Sequence, residues 1–166
     1  MLKKIIIALA IAVALPVMAQ AQKFGIVDAQ QILNAMPEFT AMQTQLSEAS
    51  KKYEEEFKKA NEEVDKKYAE YQALAEDTPA SIKERRLQDV QELAMKAQRF
   101  QQTANEDLQR QQQQLIAPIE QKLLDAIKAV GQEGSYTFIF QEGSAPFVGA
   151  DVKNVTADVK AKLGIK

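Results

Sequence analysis

The stretch that decides the architecture is ASKKYEEEFKKANEEVDKKYAEYQALAEDTPASIKERRLQDVQELAMKAQRFQQTAN, residues 49–105. It lies within a longer segment, residues 38–116, that holds no Gly and a single Pro, Pro79. Its residues are mostly Ala, Glu, Lys, Gln, Leu and Arg, whose side chains lose little freedom in a helix. Asp77-Thr78-Pro79-Ala80 interrupts it as a compact turn signal. Before the turn, apolar or small residues recur at Phe39, Met42, Leu46, Ala49, Tyr53, Phe57, Ala60, Val64, Tyr68, Tyr71 and Ala75. From Ala49 onward the steps settle into 4-4-3, an eleven-residue repeat that favours a straight or slightly right-handed helix pair. After the turn the stripe resumes at Ile82, Leu87, Val90, Leu93, Ala97, Phe100, Ala104, Leu108 and Leu115.

The two stripes match. If the chain folds back at residues 77–79, Ala49 faces Leu108, Tyr53 faces Ala104, Phe57 faces Phe100, Ala60 faces Ala97 and Val64 faces Leu93. Tyr71 with Leu87 and Ala75 with Ile82 extend the series to the tip. The expected element is an antiparallel helical hairpin over residues 38–117, tip near 77–80, with each helix roughly 55–60 Å long at the helical rise. A single narrow seam leaves most of its surface to water, so it reads as a projecting arm. Tyr53, Phe57, Tyr68, Tyr71 and Phe100 are placed on that seam, with client contact possible at its edges.

On either side of the arm the pattern changes. Phe24-Gly25-Ile26-Val27 reads as a short strand, and Asp28 caps a brief helix containing Ile32, Leu33 and Met36. Beyond Pro118, a helix over residues 119–130 is expected to stop at Gly131. Tyr136-Thr137-Phe138-Ile139-Phe140 reads as a strand, residues 142–146 as a turn and Phe147-Val148 as a second strand. Thr156 is expected to cap a closing helix that Gly164 ends. The fold class is therefore mainly α with a small β base. Its body is discontinuous, residues 22–37 and 118–166, and too small a sheet to stand alone. Oligomerisation should complete it, with Phe24, Ile26, Val27, Phe138, Ile139 and Phe140 in the body. Pro37 and Pro118 fall where the arm leaves the base and are expected to act as a hinge.

The N-terminus predicts export. Lys3 and Lys4 precede an apolar run over residues 5–15, and Ala19-Gln20-Ala21 supplies small residues for cleavage. Residues 1–21 are expected to be a signal peptide removed before Gln22, with cleavage before Gln20 and an uncleaved anchor as the alternatives. The run is short for a bilayer, which takes about 20 apolar residues. Without Lys3 and Lys4 the chain carries 19 basic against 23 acidic residues, net −4, interspersed and with no basic nucleic-acid face.

Zero counts exclude much of chemistry. With no Cys there is no disulfide, thiol nucleophile or lipid-anchored Cys, and with no His the commonest general base and metal ligand are gone. Glu54-Glu55-Glu56 and Glu62-Glu63-Asp65 sit beside Lys51, Lys52, Lys58, Lys59, Lys66 and Lys67, the make-up of a solvated helix face. The run from Gln111 to Gln114 reads as a polar helix face, and Asn154-Val155-Thr156 as an accidental sequon. No catalytic, cofactor-binding or metal site is expected. The reading is a binding protein; a periplasmic structural or adaptor hairpin comes second and an enzyme a distant third.

Phe24-Gly25-Ile26-Val27-Asp28, the short helix through Leu33, and Pro37 resemble the N-terminal signature of the Skp/OmpH-like periplasmic chaperones. The segment from Tyr136 to Val148, with residues 154–159 and Leu163, is similar to that family's C-terminal segment, so the likeness covers the chain after the signal. The resemblance implies a jellyfish-like homotrimer in the periplasm: a pooled β body and three helical arms around a cavity. It implies that unfolded outer-membrane proteins are held there, without ATP or cofactor, and kept from aggregating. One departure stands out. Residues 38–76 carry ten acids against six Lys, and residues 81–117 five acids against six bases, where several relatives have strongly basic arms. Lipopolysaccharide or membrane-surface binding through a basic patch is therefore not expected.

Overall fold

The strand β1 (Phe24–Val27) runs directly into the helix α1 (Ala29–Ala35) through Asp28, whose carboxylate accepts the Gln31 backbone N–H at 2.8 Å. That bond satisfies one of the orphan donors of the first turn. The computed structural model describes residues 22–165, so the expected signal peptide lies outside the described residues. Met36 then takes an extended conformation (φ −75°, ψ 125°), the one favoured before proline, and Pro37 opens the helix α2 (Pro37–Gln72). The chain turns through residues 73–79 and returns as the helix α3 (Ala80–Glu133). A hairpin of 36- and 54-residue helices thus stands where the two apolar stripes required one.

α3 overrides two expected stops. It passes unbroken through Pro118 and through Gly131, so no separate helix begins at residue 119. Pro118 offers no N–H to the Gln114 carbonyl, at a cost of about 3 kcal/mol. Against it stands a continuous stripe, Leu115, Ile119, Leu123, Ala126 and Val130, packed on the base across the proline. Gly131 is an ordinary interior position of the helix: a Cβ there would make a normal contact, 3.4 Å, with the Ile139 side chain. The helix ends at Gly134, and the left-handed residue behind it is Ser135, at φ 51°. Tyr136 N–H bonds the Gly131 carbonyl (2.9 Å) and Ser135 N–H the Gln132 carbonyl (3.2 Å), the paired bonds of a Schellman end.

The base sheet is wholly parallel, in the order β2 (Phe138–Gln141), β1, β3 (Lys153–Asn154). Phe24 pairs with Phe138 and Ile26 with Phe140 on one side, and Gly25 with Lys153 on the other. β2 begins two residues later than its sequence suggests. The expected strand at Phe147-Val148 does not form: it lies between Pro146 and Gly149, outside any ladder. Lys153-Asn154 takes the place instead, and Val155 N–H continues the pairing to the Ile26 carbonyl at 2.8 Å. Thr156 is the first residue of the helix α4 (Thr156–Leu163) and not its cap. Its hydroxyl accepts the Asp28 N–H (2.9 Å), while Asn154 Oδ1 accepts the Thr156 N–H (3.0 Å). Gly164 ends α4 in the left-handed conformation, φ 72°.

The core lies between the inner face of the sheet and the roots of the helices. Val27, Ile32, Met36, Val155 and Val159 meet Met42 of α2 and Ile119, Leu123, Ala126 and Val130 of α3. It reaches up the arm to Leu46 and Leu115, beyond the expected body boundary at 117–118. Gly25 is needed for close approach, because a Cβ there would meet the Tyr136 ring at 3.2 Å. Two substitutions test this account by urea unfolding at fixed protomer concentration. Ile32→Ala, at a fully buried side chain, should lose about 2–5 kcal/mol. Ser135→Gly should gain about 0.5–1 kcal/mol, since a left-handed L-residue is strained and Gly is not.

Candidate functional site

β1 has two faces, and only one is covered. Gly25 and Val27 are buried against the helices, while Phe24 and Ile26 point the other way. The parallel register puts Phe138 beside Phe24 and Phe140 beside Ile26 on that outer face. The Phe24, Phe138 and Phe140 rings stack, with centroids 5.8–6.4 Å apart. Phe138 remains 56% and Phe140 44% exposed. Large exposed apolar groups clustered on a base this small mark a surface built to be covered. Of the six residues expected in the body, Val27 is buried in the chain's own core and Ile139 packs against it. Phe24, Ile26, Phe138 and Phe140 form the open face.

The arm seam is thin but specific. Val90, Ala97 and Ala104 of α3 are buried, and Tyr53, Phe57, Ala60 and Val64 of α2 are half-buried. Tyr53 and Phe57 share a small hollow with Phe100, Ala104 and Leu108; Ala60 shares the next with Leu93, Ala97 and Phe100. Tyr53 and Phe100 meet edge to face at 6.1 Å. The Tyr53 hydroxyl donates to Asp107 across the seam, and Gln111 and Arg110 donate to the same carboxylate from its own helix. The Tyr53 bond, then Gln111, hold the Asp107 carboxyl below the usual carboxylate range, and Asp107 pushes the Tyr53 phenol up. Tyr53 is therefore committed on both its ring and its hydroxyl. Tyr71 stacks on Tyr68 of the same helix at 6.4 Å, and Tyr68 is 47% exposed at the seam's edge.

The acidic runs lie on the solvated face of α2, and one member of each pairs with a neighbouring Lys. Glu56 bonds Lys59 (2.7 Å), Glu62 approaches Lys58 (3.9 Å) and Glu70 bonds Lys67 (2.7 Å), all on exposed turns of α2. Among the described residues no group of three His, Cys, Asp or Glu is placed to hold a metal ion, and no helix is long and apolar enough to cross a membrane. The two prolines take different roles. Pro37 starts α2, where proline is well tolerated, and only Pro118 lies within a helix. Pro118 lines an apolar groove with Ala41, Met42, Leu115 and Ile119 at the arm's root, while Glu38 pairs with Lys122 below it. The prolines are thus about one helical turn out of level.

Residues 23–163 match the family described as outer membrane protein (OmpH-like). The crystal structure of a candidate outer membrane chaperone (OmpH-like) from Caulobacter crescentus CB15 superposes with a TM-score of 0.75 at 15% identity, covering 86% of this chain and 83% of that one. At that identity the likeness is one of fold. No curated protein matches the sequence significantly.

Two measurements probe the seam. Cys placed together at Ala60 and Ala97 should cross-link within one chain, and inter-chain products alone would refute the hairpin register. The Asp107 bonds give a pH signature. A carboxyl held below its ordinary range contributes stability that is present above that range and lost as pH falls through the folded value. The stability gap between the wild type and Asp107→Ala should be open at neutral pH and narrow as pH falls below the ordinary Asp value near 3.9.

Proposed function

The chain belongs to the OmpH-like outer membrane protein family, and from that membership we propose that it is an ATP-independent holdase chaperone of the periplasm. It acts as a homotrimer. Residues 22–37 and 118–166 form the assembly body, residues 38–117 the arm, and three arms enclose a cavity for unfolded outer-membrane β-barrel proteins. The signal peptide is removed before Gln22. The observation that carries the reading is the pairing of a projecting two-helix arm with an open aromatic base. Stacked on two further copies, Phe24, Phe138 and Phe140 would lose the exposure that a lone chain leaves them. The arms would then stand around a common axis with no covalent or nucleotide-driven step required.

Client capture on such an arm is not led by charge. Basic and acidic groups alternate along α2 and some pair within it, and the excess of ten acids over six Lys in residues 38–76 leaves no basic patch to draw in an acidic client. The exposed apolar groups on the arm, Tyr68, Ile82 and Met95, are separate from one another. Each adds a weak contact, which suits a cargo that must later be released. Pro118 lies inside α3 where the arm meets the base, and bending there would let the cavity admit clients of different size.

An unfolded outer-membrane β-barrel protein diluted from urea should stay soluble in the presence of this protein and aggregate in its absence. Raising salt from about 50 to about 300 mM should change the affinity by less than tenfold, because salt screens exposed charge, over about 10 Å at 0.1 M, and leaves uncharged contacts in place. A hundredfold loss over that range would assign capture to electrostatics, and no protection at any salt would remove the holdase reading.

A further inference from the structure

Besides its seam, α3 carries a second regular stripe, and it is not apolar. Gln91, Met95, Gln98, Gln102, Asn105, Gln109, Gln112 and Ile116 follow one another in steps of four and three, which keeps them on one face. The first seven are exposed and Ile116 is half-buried. Six of the eight are side-chain amides and none is charged, on a helix whose other exposed positions include Arg85, Arg86, Glu92, Lys96, Arg99 and Arg110. Glu106 stands at the stripe's edge, bonded by Gln102 at 2.9 Å. None of the other five amide side chains makes a side-chain hydrogen bond within the described residues, and Met95, 51% exposed, lies between Gln91 and Gln98.

We infer that this amide stripe is the surface along which the arm holds its client, by hydrogen bonding to the backbone of an extended, unfolded chain. The inference rests on the holdase reading above and names the face that performs it. Each Gln or Asn offers both an N–H donor and a carbonyl acceptor, the same pair that an unpaired peptide group presents. Such contacts are blind to the client's side chains, as a carrier of many sequences needs. A charged face would select for the opposite charge, and an apolar face would hold clients too firmly or recruit other arms. Met95 adds a flexible apolar contact that fits many shapes.

Length and polarity argue for this occupant over a second copy of the arm. The exposed part of the stripe, from Gln91 to Gln112, extends about 32 Å at the helical rise, Ile116 below it being packed on the core. A membrane-spanning β-strand of nine to eleven residues extends about 30–36 Å when fully drawn out. One stripe therefore runs the length of one client strand. A partner helix, by contrast, would need apolar residues at these heptad positions and would bury six amides it could not fully pair.

The test uses the full exported chain and an unfolded outer-membrane β-barrel protein as probe. The variant Gln98→Ala/Gln102→Ala/Gln109→Ala, with helix propensity retained, should bind the probe at least tenfold more weakly at unchanged assembly mass and melting temperature. The control Glu92→Ala/Arg99→Ala, on the other flank of α3, should bind within twofold of the wild type. Because the chain has no Cys of its own, a benzophenone on Gln98→Cys can be compared with one on Arg99→Cys. The first should cross-link to the probe and the second should not. Triple-variant affinity within twofold of a protective wild type overturns the inference and leaves the holdase reading standing. A change of assembly mass in the triple variant overturns it in favour of a second copy. A wild type that fails to protect the probe removes both readings.

Discussion

Parallel pairing obliges a chain to leave the sheet and come back. β1 lies between two parallel partners, and its β2 neighbour is reached only through the whole helical hairpin. Two parallel strands need a crossover of a dozen residues or more, usually one helix. Here the crossover is the arm itself. The same ladder that closes the base fixes both ends of the hairpin, Val27 to Asp28 at its start and Thr137 to Phe138 at its finish. Thr137 N–H on the Lys23 carbonyl (2.7 Å) and Glu142 N–H on the Val27 carbonyl (2.8 Å) extend that closure at either end of the strand pair.

Two consequences follow for how the molecule is divided. The inner face of the sheet is filled by the helix roots, so the base and the first turns of the arm share one core from Val159 to Met42. The outer face is left with stacked Phe rings that the described residues leave largely open. A long limb with a single seam can be carried because its root is held by that shared core. Toward the tip the burial thins: Tyr68 and Ile82 are nearly half exposed, and the layers rest on few side chains. Packing is thus densest at the root, where Pro118 is the one break in the α3 backbone ladder among the described residues, and thinnest toward the tip, the kind of segment that opens at low cost.

The arm was legible because its signal is long. Two apolar stripes of matching period on either side of Asp77-Thr78-Pro79 determine a hairpin and its register, and Ala60 and Ala97 do share a hollow. The base was legible only in part, because its elements are short and held by distant partners. Lys153-Asn154 carries no strand pattern and becomes one only through Gly25 and Ile26, over a hundred residues away. Phe147-Val148 has strand residues and no partner. Gly131 looked like a helix end, yet packing carried α3 three residues further and Ser135 took the left-handed position. Pro118 stood as a break for the same reason, local chemistry read without the buried stripe that spans it. Of the body residues, sequence could place Phe24 and Phe138 in the sheet, but not separate the face that Val27 and Ile139 fill inward. The amide stripe is visible in the sequence only once the seam has been assigned, since it is the seam that defines which face remains.

The proposed assembly turns on an outer aromatic face of the base that further copies of the chain would complete. Sedimentation equilibrium of the exported chain at micromolar concentration, beside a Phe138→Asp variant, tests that most directly. The account predicts the mass of three chains for the wild type, falling to that of one chain when a carboxylate replaces the exposed ring, with helical content retained. A wild type that sediments as a single chain, or a Phe138→Asp variant that assembles as before, would contradict it.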